Sequence, residues 1–162
     1  MADSSFDIVS KIDQMELDNA FNQCDREIAT RYDFKNTGVK VEKTGTKVLI
    51  EADTEERVKA ALDVFKDKLV KRSVSLKHLE SSEPQLSGKT YRINCEFKEG
   101  ITTENAKKIA KFLKESGPKS LKTQIQGDEL RVSSKSRDDL QAAIAQVKKE
   151  SWDFAVQFTN YR

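Results

Sequence analysis

Residues 121–147 have the sequence LKTQIQGDELRVSSKSRDDLQAAIAQV, in which two alternating segments precede a helical one. Polar and apolar residues alternate on both sides of Gly127-Asp128, a pair that favours a tight turn, so the two segments predict a β-hairpin. Ser136 is a typical helix N-cap with Asp139 three residues later, and apolar residues then recur at helical spacing. The stretch therefore predicts the order strand, turn, strand, helix.

The same order, with one strand before it and one after it, is predicted twice along the chain. The first copy has strands at Phe6–Ile12, Val39–Glu42, Lys47–Ala52 and Ser73–Leu79, one helix ending near Thr30 and a second starting after Asp53 as cap; the second copy has strands at Tyr91–Phe97, Leu121–Gln126, Glu129–Ser133 and Phe154–Tyr161, with helices from Thr102 or Thr103 and from Ser136. Glu80–Gly88 is predicted to link the copies. Each βαββαβ unit predicts a ferredoxin-like domain, in which two helices cover one face of an antiparallel sheet.

The composition fits a folded chain rather than a disordered one. Charged residues make up 35% and hydrophobic residues 36% of its 162 residues, and the apolar positions are regularly spaced. The net charge of +2 gives no whole-chain basic signature for nucleic acid. The charge is uneven, since residues 1–82 have a net charge of −2 and residues 83–162 a net charge of +4.

Several function classes lack their usual motifs. The sequence contains no Gly-rich phosphate loop and no nucleophile elbow, and its one histidine, His78, lies in a Lys- and Glu-flanked stretch. Cys24 and Cys95 fall on apolar positions without CxxC spacing, which indicates buried free thiols in a reducing compartment. No apolar run approaches the ~20 residues of a membrane span, and no secretory signal opens the chain. We therefore expect a cytoplasmic, non-enzymatic protein with no metal and no cofactor.

Three groups of residues are candidates for nucleotide binding. They are Arg31, Asp33, Phe34 and Lys35 after the first helix, Lys71 and Arg72 at the end of the second helix, and Gln124, Gln126, Arg131, Lys135 and Arg137 in the stretch quoted above. Cations and amides can hold phosphates and base edges, and we expect the third group to share a pocket on the open sheet face beside a helix N-terminus. The structural alternatives are that Phe34 fills the core while Arg31 pairs with Asp33 or Glu27, that cations at a helix C-terminus only favour the dipole, and that the hairpin is a plain one.

A second candidate surface is basic. It comprises Lys107, Lys108, Lys111, Lys114, Lys119 and Lys122, offset only by Glu115. Such a surface can attract RNA, and the alternative is an ordinary solvated helix face. The strands that correspond to an RNA-recognition platform are Lys47–Ala52 in the first copy and Glu129–Ser133 in the second. Neither contains an aromatic residue, which argues against a standard module of that type.

Seven motifs are distributed along essentially the whole chain. They are residues 5–10 (SFDIVS), 31–36 (RYDFKN), 69–72 (LVKR), 87–90 (SGKT), 124–132 (QIQGDELRV), 134–141 (SKSRDDLQ) and 158–162 (FTNYR). Together they resemble the bacterial YajQ family. The segment Val39–Gly45 is short and the linker differs, but neither departure affects these motifs.

The resemblance implies two ferredoxin-like domains with exchanged first strands. The first domain would be 14–98 with the strand 90–98, and the second would be 1–13 plus 99–162 with the strand 5–12. The family is associated with purine nucleotides (GTP and ATP), with cyclic di-GMP acting through a transcription regulator, and with RNA including tRNA. It brings no catalytic residues, so a regulatory nucleotide binder is the expectation and an RNA binder using residues 107–122 is the alternative.

Overall fold

The computed structural model describes residues 3–36 and 38–162 and shows a mixed α+β chain. Within these residues there are four α-helices, nine β-strands and two 3₁₀ turns. In chain order the elements are β1 (Ser4–Val9), α1 (Gln14–Thr30), a 3₁₀ turn (Tyr32–Phe34), β2 (Lys40–Thr44), β3 (Lys47–Ala52), α2 (Glu55–Lys71), a 3₁₀ turn (Leu76–His78), β4 (Leu79–Ser81), β5 (Gln85–Ser87), β6 (Thr90–Phe97), α3 (Thr103–Ser116), β7 (Lys122–Gln126), β8 (Glu129–Ser134), α4 (Arg137–Lys149) and β9 (Gln157–Thr159).

The chain divides into two compact units. The split unit contains the described residues up to Lys11 together with Glu99–Arg162, and the central unit contains Ile12–Lys98. The first strand of the chain, β1, therefore belongs to a unit that is otherwise made from the second half of the sequence. The strand β6 pairs with β3 and β4 and so completes the sheet of the central unit.

The split unit has an antiparallel sheet in the order β7-β8-β1-β9. Phe6 of β1 lies opposite Val132 of β8, and both belong to a buried cluster with apolar residues of α3 and α4. The helices therefore cover this face. Because side chains alternate along a strand, Asp7 and its partner Arg131 lie on the other face.

The central unit repeats this arrangement in the order β2-β3-β6-β4, with β5 paired to the outer part of β6. Val48 lies opposite Cys95 and Ile50 lies opposite Ile93, and all four are buried with apolar residues of α1 and α2. The helices again cover one sheet face. The other face carries the polar side chains of β2, β3 and β6.

Each helix begins at a side-chain cap. Asp13 accepts from the backbone N–H of Met15, and Thr102 and Ser136 accept from residues three positions later. The prediction of Asp53 as the cap of α2 is wrong, because Thr54 Oγ1 accepts from the Arg57 N–H. The two positions are adjacent, and either side chain is a good cap, so the pattern did not choose between them.

The predicted strand Ser73–Leu79 is wrong over most of its length. Ser73 has a φ of 60°, and a 3₁₀ turn precedes β4, which begins only at Leu79. The predicted linker Glu80–Gly88 is largely ordered as β4 and β5. The eight-residue strand β6 offers both of them a backbone edge, and the Ser82 N–H donates to the Asn94 carbonyl at 2.8 Å.

Candidate functional site

The sheet face of the split unit that the helices leave uncovered carries a row of polar side chains. Gln124 of β7 lies opposite Arg131 of β8, which lies opposite Asp7 of β1. Arg131 Nε donates to Asp7 Oδ1 at 3.0 Å, and Asn160 Nδ2 donates to Asp7 Oδ2 at 2.8 Å. Asp7 is only 1% exposed, so this is a buried ion pair. The predicted residues Gln124 and Arg131 are neighbours, but the charge of Arg131 is already neutralised.

Both members of this ion pair are charged at neutral pH. Burial raises the pKa of Asp7, but the hydrogen bonds from Arg131 and Asn160 outweigh burial, and the pKa lies below its ordinary value. The hydrogen bond to Asp7 raises the pKa of Arg131 in turn. Arg131 therefore stabilises a buried carboxylate, which is a structural task, and its guanidinium is not free for a phosphate.

The other predicted amide of this face, Gln126, lies at the turn end of the hairpin. It is opposite Glu129, and Glu129 Oε1 forms an ion pair with Lys11 Nζ at 3.2 Å. Charge at this end of the row is thus balanced within the split unit.

A cavity of about 250 Å³ lies on the other side of β1, between the sheet and α4. Its lining includes Arg137, the aromatic residues Phe6 and Tyr161, apolar side chains of α4, and Arg162. Arg137 Nε donates to Ser4 Oγ at 3.4 Å, and within the described residues its guanidinium lies outside ion-pair distance of any carboxylate. Arg162 lies directly opposite Ser5, so its side chain shares the sheet face of Asp7, and its charge is among those that lower the pKa of Asp7. A free guanidinium beside aromatic and apolar surface suits a phosphorylated base.

The expected pocket of Arg131, Lys135 and Arg137 is therefore divided. Arg131 faces away from the helices, whereas Arg137 lines the cavity beneath α4. Lys135 is exposed in the connection between β8 and α4. The prediction failed because Arg137 belongs to the first turn of a helix that crosses to the opposite face of the sheet from Arg131.

Two residues of the cavity were missed as site residues, although both lie in the closing motif of the resemblance. Tyr161 and Arg162 follow β9, and backbone hydrogen bonds join Arg162 to Ser5 in both directions, at 2.9 and 3.2 Å. The ring centroids of Tyr161 and Phe6 lie 6.5 Å apart. The adjacency of an aromatic and an arginine was the available signal, but only the pairing with β1 places Tyr161 on the side of α4 and Arg162 on the side of Asp7.

The start of α4 is held by a small network of hydroxyl groups. The Ser136 hydroxyl caps the helix, the Ser136 N–H donates to Ser134 Oγ at 3.0 Å, and Ser120 Oγ contacts Ser134 Oγ at 2.6 Å. Ser120 also donates to Asp139 at 2.6 Å. Ser134 is 1% exposed, so the network fixes the first turn of α4 and with it the backbone of Arg137.

The first group of candidates lies in the central unit, where its charges are satisfied internally. Arg31 donates to both carboxylate oxygens of Asp33, at 2.9 and 2.6 Å, and to Glu27 at 3.4 Å. Asp33 raises the pKa of Arg31, and Arg31 lowers the pKa of Asp33. Phe34 is buried in the core with the Arg31 guanidinium 4.9 Å from its ring centroid. These contacts match the structural alternative given for Arg31, Asp33 and Phe34, in which Phe34 fills the core and Arg31 pairs with nearby carboxylates. Lys35 is exposed beside them.

The second group closes α2 and is also paired. Lys71 Nζ lies 3.1 Å from Asp67, and Arg72 lies 3.6 Å from Glu16 in the first turn of α1. The guanidinium of Arg57, in the first turn of α2, instead donates to the backbone carbonyl of Asp33.

The basic surface is partly gathered in one place. Lys111, Lys114 and Lys119 line a cleft of about 680 Å³ between the end of α3 and β7, with Pro118 and Leu121 among its apolar lining. Lys107 and Lys108 are exposed further back on α3. Lys122 forms a long ion pair with Asp3 at 3.7 Å. Five of the six lysines lie outside ion pairs within residues 3–36 and 38–162.

The uncovered sheet face of the central unit differs in charge. A hollow of about 660 Å³ there is lined by Glu42, Glu80 and Glu96 together with Lys47 and Asn94. Carboxylates repel phosphates, so this face is unsuited to a nucleotide or to RNA.

In the part of the chain that the structure describes, no side chains are arranged for redox chemistry or for binding a metal ion. Burial raises the pKa of Cys24 to about 12 and that of Cys95 to about 11, so both thiols are protonated. His78 is 3% exposed, and its Nδ1 lies 2.9 Å from the Lys98 carbonyl. Among the described residues no group of three or more His, Cys, Asp or Glu side chains is placed to hold a metal ion. No helix in residues 3–36 or 38–162 is long and apolar enough to cross a bilayer.

Comparison with known proteins decides the family. A family model described as "Nucleotide-binding protein YajQ-like" matches residues 4–162. The chain belongs to the YajQ family. Among its relatives, a "Nucleotide-binding protein" of Streptomyces griseus is 62% identical over 162 residues, and one of Streptomyces avermitilis is 61% identical over 162 residues. A "Nucleotide-binding protein" of Mycobacterium tuberculosis is 59% identical over 163 residues. In all three cases the match spans the full length of both chains.

Membership of the YajQ family confirms the resemblance seen in the sequence motifs. It makes the chain a nucleotide-binding protein of that family, and the names of these relatives describe binding rather than a reaction. The nucleotide, its binding residues and any partner are matters for proposal.

Proposed function

We propose that the protein is a non-enzymatic, regulatory nucleotide binder that holds a purine nucleotide or one half of cyclic di-GMP in the cavity between β1 and α4. The observation that carries this proposal is that Arg137, whose guanidinium has no carboxylate within ion-pair distance among the described residues, meets Phe6 and Tyr161 around about 250 Å³. The family accounts for a nucleotide in general terms, and this cavity supplies the chemistry that a nucleotide needs.

The cavity suits one nucleotide unit better than a whole dinucleotide. Pockets for drug-sized ligands start at about 300 Å³, and this one is slightly smaller. Arg137 would hold the phosphate by paired N–H donors, with Gln141 available for a base edge. The aromatic rings and Leu140 would contact the base. The second guanosine of cyclic di-GMP would then lie outside the cavity.

The other predicted residues receive less support from their contacts. Lys135 is placed to add charge near the start of α4, and Gln124 and Gln126 remain candidates on the opposite sheet face. Arg131, Arg31, Asp33, Lys71 and Arg72 already have charged partners, and Phe34 is buried. A ligand that used any of these five charged residues would have to displace an existing ion pair.

Isothermal titration of the purified protein with cyclic di-GMP, GTP and ATP tests the proposal. At about 0.1 mM protein, ligands with a dissociation constant near 10 μM would saturate the site. We expect at least one of the three to bind, and Arg137→Ala and Tyr161→Ala each to weaken it at least tenfold. Arg92→Ala is the matched control, because Arg92 is a half-exposed arginine on the central unit.

Two results would overturn this assignment. Absence of binding by all three nucleotides would remove the ligand class, and unchanged affinity in both cavity variants would remove the site. A nucleotide-turnover assay addresses the non-enzymatic role separately. We expect no product, since the described residues show no activated nucleophile or metal cluster, and steady product formation would contradict that role.

RNA binding is the second candidate function, and the cleft with Lys111, Lys114 and Lys119 favours it. Affinity for tRNA should then fall steeply with added salt, because each neutralised phosphate releases a counterion. The double variant Lys111→Glu/Lys114→Glu should abolish binding at 150 mM salt. The control Lys40→Glu/Lys77→Glu reverses two exposed charges on the central unit and should bind normally. Equal affinity of the two double variants would exclude the cleft.

The strand connections support a finer proposal for the fold. With β1 counted as the first strand of the split unit and β6 as that of the central unit, both sheets have the order 2-3-1-4. This order, with two helices on one face, is that of ferredoxin-like domains with exchanged first strands.

We also propose that the protein acts in the cytoplasm and that its partner is a transcription regulator, which responds to the bound nucleotide. Co-purification that depends on added cyclic di-GMP would test the partner.

A further inference from the structure

We propose that Asp7 and Asn160 are positioning residues for the nucleotide cavity, because together they set a β-bulge that turns Tyr161 into it. This inference rests on the proposed function for its consequence in binding, but the bulge and its anchor can be tested without a nucleotide.

The bulge follows from the register on either side of Asn160. Thr159 lies opposite Asp7, whereas Arg162 pairs with Ser5. Two steps along β1 therefore correspond to three steps along the other strand, which is one extra residue. Asn160 has a φ of 54°, the left-handed conformation that such a bulge commonly requires.

The extra residue determines which way Tyr161 points. In a regular ladder Tyr161 would lie opposite Ser5 and share the uncovered face with Asp7, because side chains alternate. With the bulge at Asn160, Tyr161 instead lies on the side of Phe6, with 6.5 Å between the ring centroids, and lines the cavity. A one-residue slip would thus remove the aromatic wall from the site.

A buried carboxylate anchors the bulge. Asn160 Nδ2 donates to Asp7 Oδ2 at 2.8 Å, and Arg131 holds the other oxygen of the same carboxylate at 3.0 Å. Asp7 is 1% exposed, so water does not compete for these oxygens. Asn suits position 160 for two reasons. It tolerates the left-handed conformation, and its side-chain amide supplies the hydrogen-bond donor to Asp7.

Three variants separate these requirements. Asn160→Asp keeps the backbone preference but places a second carboxylate against Asp7. Asn160→Gly keeps access to positive φ and removes only the donor. The exchange Asp7→Asn/Asn160→Asp returns one amide and one carboxylate to the pair with the same total charge.

The measurements are amide hydrogen exchange at Tyr161 and Arg162, and affinity for the tightest of the three nucleotides. We expect Asn160→Asp to speed exchange and to weaken binding about tenfold each, Asn160→Gly to change both about threefold, and the exchanged pair to recover to within about threefold of the natural protein. Ile109→Val is the control for general destabilisation, since Ile109 is buried in the core of the same unit away from the cavity lining. It should leave affinity unchanged.

The outcomes distinguish the two proposals. If Asn160→Asp leaves exchange at Tyr161 and Arg162 unchanged, the anchoring role is wrong whatever binds. If exchange rises but affinity for the nucleotide does not fall, the bulge is anchored as described and Tyr161 is not part of the site. If the natural protein binds none of the three nucleotides, the proposed function fails, and exchange in the variants alone decides the role of Asp7 and Asn160 in setting the bulge.

Discussion

Each unit holds an ion pair across two neighbouring strands on its uncovered sheet face, but the two pairs differ in polarity and in burial. In the split unit the carboxylate is on β1 and the arginine on β8, at 3.0 Å, with side-chain exposures of 2% for Asp7 and 28% for Arg131. In the central unit the arginine is on β6 and the carboxylate on β3, at 2.8 Å, with exposures of 44% for Arg92 and 20% for Glu51.

The difference shows that distance alone does not measure what an ion pair contributes. The pair with the longer separation is shielded from water and receives a third partner, Asn160, while the shorter pair remains in contact with solvent. Removing one member of a buried pair leaves a charged group without a partner, whereas water replaces a lost partner at an exposed pair. The repeated topology thus carries one pair that contacts the bulge at Asn160 and one that remains exposed to solvent.

The largest expected effect distinguishes the two pairs by stability. Asp7→Asn should lower the free energy of unfolding by about 2 kcal/mol, because it replaces two hydrogen bonds to a charged group with weaker ones. Urea denaturation at pH 7 measures this change. A loss below about 0.5 kcal/mol would mean that burial does not strengthen the Asp7 pair.

The acid limb of stability gives the next test. The pKa of Asp7 in the folded protein lies below its ordinary value, so its contribution is fully present above the unfolded value, ~3.9. It is lost as the pH falls through the folded pKa. The difference in stability between the natural protein and Asp7→Asn should therefore shrink below about pH 4. Denaturation curves from pH 7 to pH 2.5 would show it, and a difference that stays constant would contradict the shift.

Helix caps provide a smaller, matched comparison between the units. Ser136→Ala on α4 and Thr54→Ala on α2 should each cost about 1 kcal/mol, since each hydroxyl satisfies one N–H of the first turn. Only Ser136→Ala should also weaken nucleotide binding, because α4 carries Arg137. Thermal denaturation together with titration separates the two effects, and equal loss of affinity in both variants would argue against the site.

The exposed pair should give the smallest change. Glu51→Gln should lower the free energy of unfolding by no more than about 0.5 kcal/mol, and 1 M salt should remove most of that loss. The same urea titration at low and high salt checks this. A loss as large as that of Asp7→Asn would erase the distinction between the two pairs.

The elements predicted from the spacing of apolar residues match the structure best where the apolar stripe is long. The helix cap Ser136, the helix start predicted at Thr102 or Thr103 and the strand Lys47–Ala52 match the structure, in which Thr102 is the cap, because each depends on residues close in sequence. The segment Ser73–Leu79 was mistaken for a strand because its β-like composition is interrupted by a turn that only the positive φ of Ser73 reveals. The candidate site was predicted in part, since Arg137 was named and Tyr161 was not.

The sequence by itself determined the order of helices and strands, the apolar faces and the motifs of the family, since these depend on neighbours within a few residues along the chain. Only the tertiary structure decided which cations are free. Arg131 and Arg72 were as plausible in sequence as Arg137, but carboxylates brought near in the fold, Asp7 and Glu16, neutralise them. The cavity likewise requires β1 to pair with a segment more than 150 residues away, at a register that one extra residue shifts. Long-range pairing of this kind leaves no local signal.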